Sequence, residues 1–239
     1  MQGLKQLLPL ERGAVCAVVG CGGKTSLIEL LAREHADEKV LITPTTKIYR
    51  PEGNAPVVLG RQPCLAHVPC AGVQYLGSWD EGRGKLCALP AADWPQLVRG
   101  YDLVLMEGDG SRGLPCKGWT QTEPVIAAFA THTLGVITTR ALGQRADEAT
   151  VLRPEQFARL TGIAPGHTIT LRALADMVGK PEGMFKGRRG KAVLLINQAE
   201  DAPALERAAE LATMVKERYP GVVSLILCGS VRQNRWMAL

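Results

Sequence analysis

The chain has 239 residues, 46% of them hydrophobic and 5% aromatic, with a formal net charge of +5. That length suits one large domain or two small ones, with enough apolar content to bury a core without disulfide staples. The mild charge argues against a nucleic-acid-binding function, which needs a broad basic face, and no stretch approaches the roughly 20 apolar residues that span a bilayer.

The seven cysteines are scattered, with no CxxC pair and no Cys/His ladder at zinc spacing. Cys16 and Cys228 lie in apolar runs and read as small core residues. Cys21 and Cys116 each neighbour a lysine able to lower a thiol pKa; the plainer reading is a small residue beside a turn. Met1 to Lys5 lacks a signal-peptide core, so a reducing cytoplasm fits. The densest basic run, Lys186-Gly187-Arg188-Arg189-Gly190-Lys191, contains no aromatic residue and reads as a solvated loop.

The first predicted strand is Val15-Cys16-Ala17-Val18-Val19, which runs into Gly20-Cys21-Gly22-Gly23-Lys24-Thr25-Ser26 and then an amphipathic helix from Leu27 to Arg33. Strand, glycine loop and helix together form a phosphate cradle. Loop and helix N–H groups face an anion, lysine adds a positive charge, and the following hydroxyl can ligate Mg²⁺. The loop departs from the strict GxxxxGK[ST] pattern, whose first glycine would fall at Val18. A dinucleotide-binding loop is the rival. It would require a third glycine where Thr25 stands and an acid after the second strand, whereas that strand, Lys39 to Thr43, ends in Thr43-Pro44-Thr45-Thr46-Lys47. Thr45 and Thr46 therefore join the site as candidate γ-phosphate or Mg²⁺ contacts.

Residues 51–90 change character, and the runs Val73–Gly77 and Lys85–Leu89 flanking Asp80-Glu81-Gly82-Arg83-Gly84 predict a β-hairpin insertion. Tyr101-Asp102-Leu103-Val104-Leu105-Met106-Glu107-Gly108-Asp109 reads as a buried parallel strand delivering two acids to the ligand face. Glu107 is the Mg²⁺ candidate with Thr25, and Asp109 is placed to orient a nucleophile. Arg112 and Lys117 follow as candidate contacts to phosphate or an acidic second substrate. Thr133–Thr138 is a fourth strand, Pro154–Leu160 a helix, and residues 163–190 a small helical insertion. A fifth strand, Lys191–Asn197, ends in Asn197-Gln198-Ala199-Glu200, which resembles the NKxD base-reading loop of GTPases with glutamine and glutamate substituted. A helix from Ala204 to Arg218 and a final strand, Val222–Cys228, complete an α/β chain with a mainly parallel sheet flanked by helices. The whole of residues 1–239 reads as a single nucleotide-binding domain.

Taken together, the glycine loop, Thr43–Lys47, Glu107-Gly108-Asp109-Gly110-Ser111-Arg112, Pro115-Cys116-Lys117, Glu123-Pro124, Ala141-Leu142-Gly143, Arg153-Pro154-Glu155 and the Asn197 loop resemble the YqeC family. That family is described as accessory proteins of selenium-dependent molybdenum hydroxylases. The glycine–lysine loop and Glu107-Gly108 also resemble SIMIBI-type P-loop NTPases. The resemblance implies a Rossmann-like three-layer P-loop fold and an ATP- or GTP-binding protein, with a molybdenum hydroxylase or its cofactor as partner. Two positions depart from the family pattern: Arg140 stands where an acid is expected, and Leu152 where a histidine is expected. A Mg²⁺-dependent NTPase is the leading expectation, with Lys24, Glu107 and Asp109 as its catalytic groups. A kinase- or ligase-like enzyme gripping an acidic acceptor with Arg112 and Lys117 is the second. A nucleotide-gated selenium or cofactor carrier using Cys21 or Cys116 is the third. The oligomeric state is left open.

Overall fold

The computed structural model describes residues 1–49 and 55–239. Its elements in chain order are α1 (Leu4–Leu7), β1 (Ala14–Gly20), α2 (Lys24–Glu34), β2 (Lys39–Pro44), β3 (Lys47–Tyr49), β4 (Val57–Leu59), α3 (Arg61–Ala66), β5 (Gly72–Asp80) and β6 (Lys85–Cys87). After these come α4 (Trp94–Leu97), β7 (Leu103–Glu107), β8 (Cys116–Lys117), β9 (His132–Thr138), β10 (Val151–Leu152), α5 (Pro154–Thr161) and α6 (Leu171–Gly179). The chain closes with β11 (Lys191–Asn197), α7 (Ala202–Arg218), β12 (Leu225–Ser230) and β13 (Arg235–Ala238).

Among the described residues one sheet of eleven strands runs in the order β13-β12-β11-β9-β1-β7-β2-β5-β6-β3, with β4 also paired to β5. The strands from β12 to β5 are parallel, and antiparallel strands close both edges. β1, β7, β9 and β11 are buried along nearly their whole length, which is why they read as unbroken apolar runs rather than alternating ones. Alternate residues of β1 divide between the two faces. Cys16 and Val18 pack under α2 with Leu27, Ile28 and Leu31. Val15 and Ala17 pack towards Trp94 and Leu97, and Val19 towards the α5–α7 layer. Helices therefore cover both faces, giving the expected three-layer α/β fold.

Several boundaries differ from the sequence expectation. The hairpin forms, as β5 and β6, but β5 also pairs in parallel with β2 and so extends the main sheet; residues 51–54 lie outside the described residues. The segment 163–190 is no excursion, because α6 lies in one apolar cluster with α5 and α7 and contributes Leu174, Met177 and Val178 to it. Its cations are not merely solvated: Lys186 Nζ donates to the Thr120 and Gln121 carbonyls, and Arg188 to those of Gly221 and Val222. The expected last strand begins three residues later, at Leu225, and is followed by β13. Among the described residues no helix is long and apolar enough to cross a membrane.

β13 joins the two ends of the chain. Gln2 and Trp236 exchange backbone hydrogen bonds of 2.9 and 2.8 Å, and the Trp236 ring is fully buried in the cluster beneath α1 and α2. Its indole N–H has no partner among the described residues, so the ring stabilises by packing alone. Trp236→Ala should cost roughly 3–5 kcal/mol in urea unfolding, whereas Trp236→Phe should cost clearly less, since no hydrogen bond is lost.

Candidate functional site

The parallel strands all end on one edge of the sheet, the edge where α/β folds place ligands. Register brings the important residues level: Glu107 pairs with Val18 on one side and Pro44 on the other, and Asn197 pairs with Thr138. The loop from Gly20 to Gly23 leaves the centre of this edge. Gly22 and Gly23 have φ of +93° and +113°, and a Cβ added there would come within 2.9 Å of Thr138 and 2.7 Å of the Asn197 amide. Glycine is thus demanded both by conformation and by neighbours.

α2 begins directly at Lys24 and has no side-chain cap. The first N–H groups of a helix lack intrahelical acceptors, and here the N–H groups of residues 22–26 find no acceptor among the described residues. They surround a cleft of about 450 Å³ lined by Gly22, Gly23, Lys24, Thr25, Ser26 and Thr138, among others. Lys24 is 3% exposed. Its ammonium donates to the Gly20 carbonyl at 2.8 Å and lies 3.4 Å from Asp109 and 3.8 Å from Glu107. Burial alone would lower its pKa, but the two carboxylates outweigh burial and raise it, so it stays charged. Thr25 Oγ1 donates to Glu107 Oε2 at 3.1 Å. Burial lifts the Glu107 carboxyl above its usual range against the pull of Lys24 and Thr25.

Among the described residues no group of three or more His, Cys, Asp and Glu side chains is placed to hold a metal ion. Mg²⁺ needs no such cage, since one or two protein oxygens plus substrate phosphates and waters complete its shell. The adjacent hydroxyl and carboxylate of Thr25 and Glu107 are hard oxygen donors of that kind, and they fit.

Asp109 sits differently from the expected nucleophile-orienting acid. It is 0% exposed and accepts from Gly20 N–H at 3.1 Å, Lys117 at 3.0 Å and the Trp119 indole at 2.6 Å. Every direction around it is occupied by protein, so it fixes the glycine loop instead of handling water. Lys117 is likewise 0% exposed, bound to Asp109, to the Gly110 carbonyl at 2.7 Å and to Glu123 at 3.1 Å. It faces inward and does not reach the cleft. Glu123 in turn takes a two-pronged contact from Arg153, at 2.7 and 3.1 Å. Burial works to raise the Glu123 pKa, but Arg153 and Lys117 hold it below the usual range. Sequence reasoning missed Trp119, Glu123 and Arg153 as parts of the site. A lysine beside apolar Cys116 in a chain rich in core residues was the available signal, because a buried cation requires a carboxylate.

The remaining expected residues lie in different settings. Ser26 lines the cleft. Thr45 Oγ1 donates to the carbonyls of Glu107 and Val125, tying β2 to β7, while the buried Thr46 hydroxyl has no partner among the described residues. Arg112 is exposed in a separate cleft of about 630 Å³, with Arg153. Asn197 does not point its amide at a ligand: it donates to the Gly22 carbonyl at 2.8 Å and accepts from Val231 N–H at 2.9 Å. The thiols are not activated. Burial pushes Cys21 up to about 12 and Cys116 well above the ordinary thiol range, despite the nearby lysines.

Removing one member of a buried ion pair strands its partner in low dielectric. Asp109→Ala should therefore lower stability by roughly 3–5 kcal/mol, while Arg112→Ala should leave the melting temperature within error; thermal unfolding followed by circular dichroism checks both.

A family model described as the YqeC protein matches residues 16–155, a span that includes the glycine loop, both acids and the Lys117–Glu123–Arg153 chain. The sequence is 35% identical over 185 residues to the uncharacterized protein YqeC of Escherichia coli (strain K12), an alignment covering 74% of this chain and 72% of that protein. No solved structure matches. On these similarities the chain belongs to the YqeC family.

Proposed function

We propose that the protein binds a nucleoside triphosphate, ATP or GTP, with Mg²⁺ and hydrolyses it. One observation carries this reading: five successive N–H groups, residues 22–26, open into a cleft beside a buried lysine and a hydroxyl–carboxylate pair. A convergent set of backbone donors at a helix N-terminus suits phosphate. Lys24 is positioned to exchange the Gly20 carbonyl for phosphate oxygens while keeping its charge balanced by Asp109 and Glu107. Thr25 and Glu107 would hold the metal, whose contribution is to neutralise phosphate charge. The protein's own part is positioning and electrostatic stabilisation, which is most of what phosphoryl transfer requires.

Family membership supports placing this chemistry in the maturation of selenium-dependent molybdenum hydroxylases, with a hydroxylase or its cofactor as partner. The acceptor-phosphorylating alternative draws little support. Lys117 is buried in ion pairs, and Arg112 opens on a different cleft from the glycine loop. The carrier alternative draws none from Cys21 or Cys116, whose thiols are buried and held above the ordinary thiol range.

Calorimetric titration with Mg²⁺ and either nucleotide tests the reading. The wild type should bind at least one of them. Lys24→Ala should bind about tenfold or more weakly, since a hydrogen bond to a charged group contributes roughly 1.5–3 kcal/mol. Thr25→Ala alters an exposed side chain and should chiefly raise the Mg²⁺ concentration needed. Equally poor binding of ATP and GTP by the wild type and by Lys24→Ala would remove the site. In cells lacking the protein, the wild type and not Thr25→Ala should restore hydroxylase activity.

A further inference from the structure

The residues around the glycine loop carry a charge balance that leaves the cleft short of cation. Lys24, Lys117 and Arg153 are matched by Glu107, Asp109 and Glu123 in one continuous chain of ion pairs. Three positive and three negative groups cancel. A triphosphate carrying one Mg²⁺ keeps a net negative charge, and it would be met by backbone dipoles and by a Lys24 whose charge is already balanced, with no surplus cation. The cleft is lined by two cationic side chains, Lys24 and Arg140, and Lys24 is already held by the Gly20 carbonyl and two carboxylates.

Arg140 is built differently from Lys24. Its backbone is anchored: its N–H donates to Thr138 Oγ1 at 3.2 Å, and its carbonyl accepts from Gln144 at 2.7 Å. Thr138 is the residue against which Gly22 packs, so the Arg140 turn is seated on the glycine loop. Its side chain, by contrast, is 57% exposed and makes one loose contact, 3.6 Å from Glu200. An exposed ion pair of that kind costs little to break. Glu200 would not be stranded, because it also accepts from the Ser230 hydroxyl at 2.9 Å and lies 3.7 Å from Arg232. Arg140 lines both the glycine-loop cleft and a neighbouring cavity of about 500 Å³ bounded by Asn197, Gln198, Glu200 and Ser230. It stands at the boundary of the two.

We propose that Arg140 is the movable cation of this site, parked on Glu200 and released to contact the phosphates of a bound nucleoside triphosphate. The inference rests on the nucleotide reading above and names the group that completes its charge. A planar guanidinium offers paired donors that match phosphate oxygens. Glu200 acts through Arg140 as a positioning residue that competes with the phosphates for it.

The test is calorimetric titration with Mg²⁺ and non-hydrolysable analogues of ATP and GTP, alongside the corresponding diphosphates. Arg140→Ala should weaken triphosphate binding about tenfold or more and change diphosphate binding less than about twofold. Arg140→Lys, which keeps the charge without the fork, should fall between wild type and alanine. Glu200→Gln should tighten triphosphate binding, a result that a merely structural glutamate would not give. Triphosphate affinity in Arg140→Ala equal to wild type would overturn this inference while leaving the nucleotide reading intact; absence of any nucleotide binding by the wild type would overturn both.

Discussion

The carboxylate of Asp109 is the contact on which the glycine loop depends. It lies fully inside the protein and gathers the Gly20 N–H, the Lys117 ammonium and the Trp119 indole, with Lys24 3.4 Å away. A carboxylate desolvated to this extent persists only when donors replace the lost water, and each replacement here comes from a different piece of the fold. Gly20 ends β1, Lys24 starts α2, Lys117 lies on β8 and Trp119 follows it. The charge chain then continues through Glu123 to Arg153 at the head of α5. The loop is thereby tied to the layer of helices on one face of the sheet, and its shape is set by the protein's own contacts. Preorganisation of that kind suits a site whose work is electrostatic.

A second anchor comes from the opposite side. Asn197, at the end of β11, holds the Gly22 carbonyl and the Val231 N–H with the two ends of its amide. Pulling that carbonyl away from the cleft leaves the N–H groups of the same turn facing into it. Parallel strands make this economical in chain length, because β1, β7, β9 and β11 all finish at the same edge and a short side chain from each can reach the loop. Thr45 secures the third neighbour, β2, through the Glu107 and Val125 carbonyls. Glycine loop, acids and polar strand ends form one rigid assembly, and among the cations lining the cleft Arg140 is the one whose side chain is not built into it.

Much of this was legible in the sequence because local rules coincide there. Apolar runs ending in glycine, acid or another polar residue mark β1, β7, β9 and β11 nearly to the residue, and Thr25 and Glu107, 82 residues apart and expected at one site, do meet in a hydrogen bond. Where the placements differ from expectation, the cause is shared. Asp109, Lys117 and Asn197 are polar residues near a presumed ligand, and their burial depends on tertiary partners that no local pattern announces. A buried Lys117 is indistinguishable in sequence from a solvated one until Glu123 and Asp109 are brought to it. β5 was read as an insertion because its pairing with β2 is non-local, and β13 was missed because its inward residue, Trp236, gains its environment only when the two chain ends meet. For Cys21 the plainer reading, a small residue beside a turn, agrees with the structure, because the neighbouring ammonium groups lower a thiol pKa but complete burial raises it by more.

On the proposed function, backbone N–H groups of residues 22–26 receive the phosphates. Amide hydrogen exchange read by mass spectrometry tests it directly, in the presence of Mg²⁺ with ATP or GTP and in their absence. We expect slowed exchange in peptides covering residues 20–30 for the wild type, and little change in Lys24→Ala. Unchanged exchange across residues 20–30 at nucleotide concentrations that saturate binding, or protection confined to another part of the chain, would contradict it.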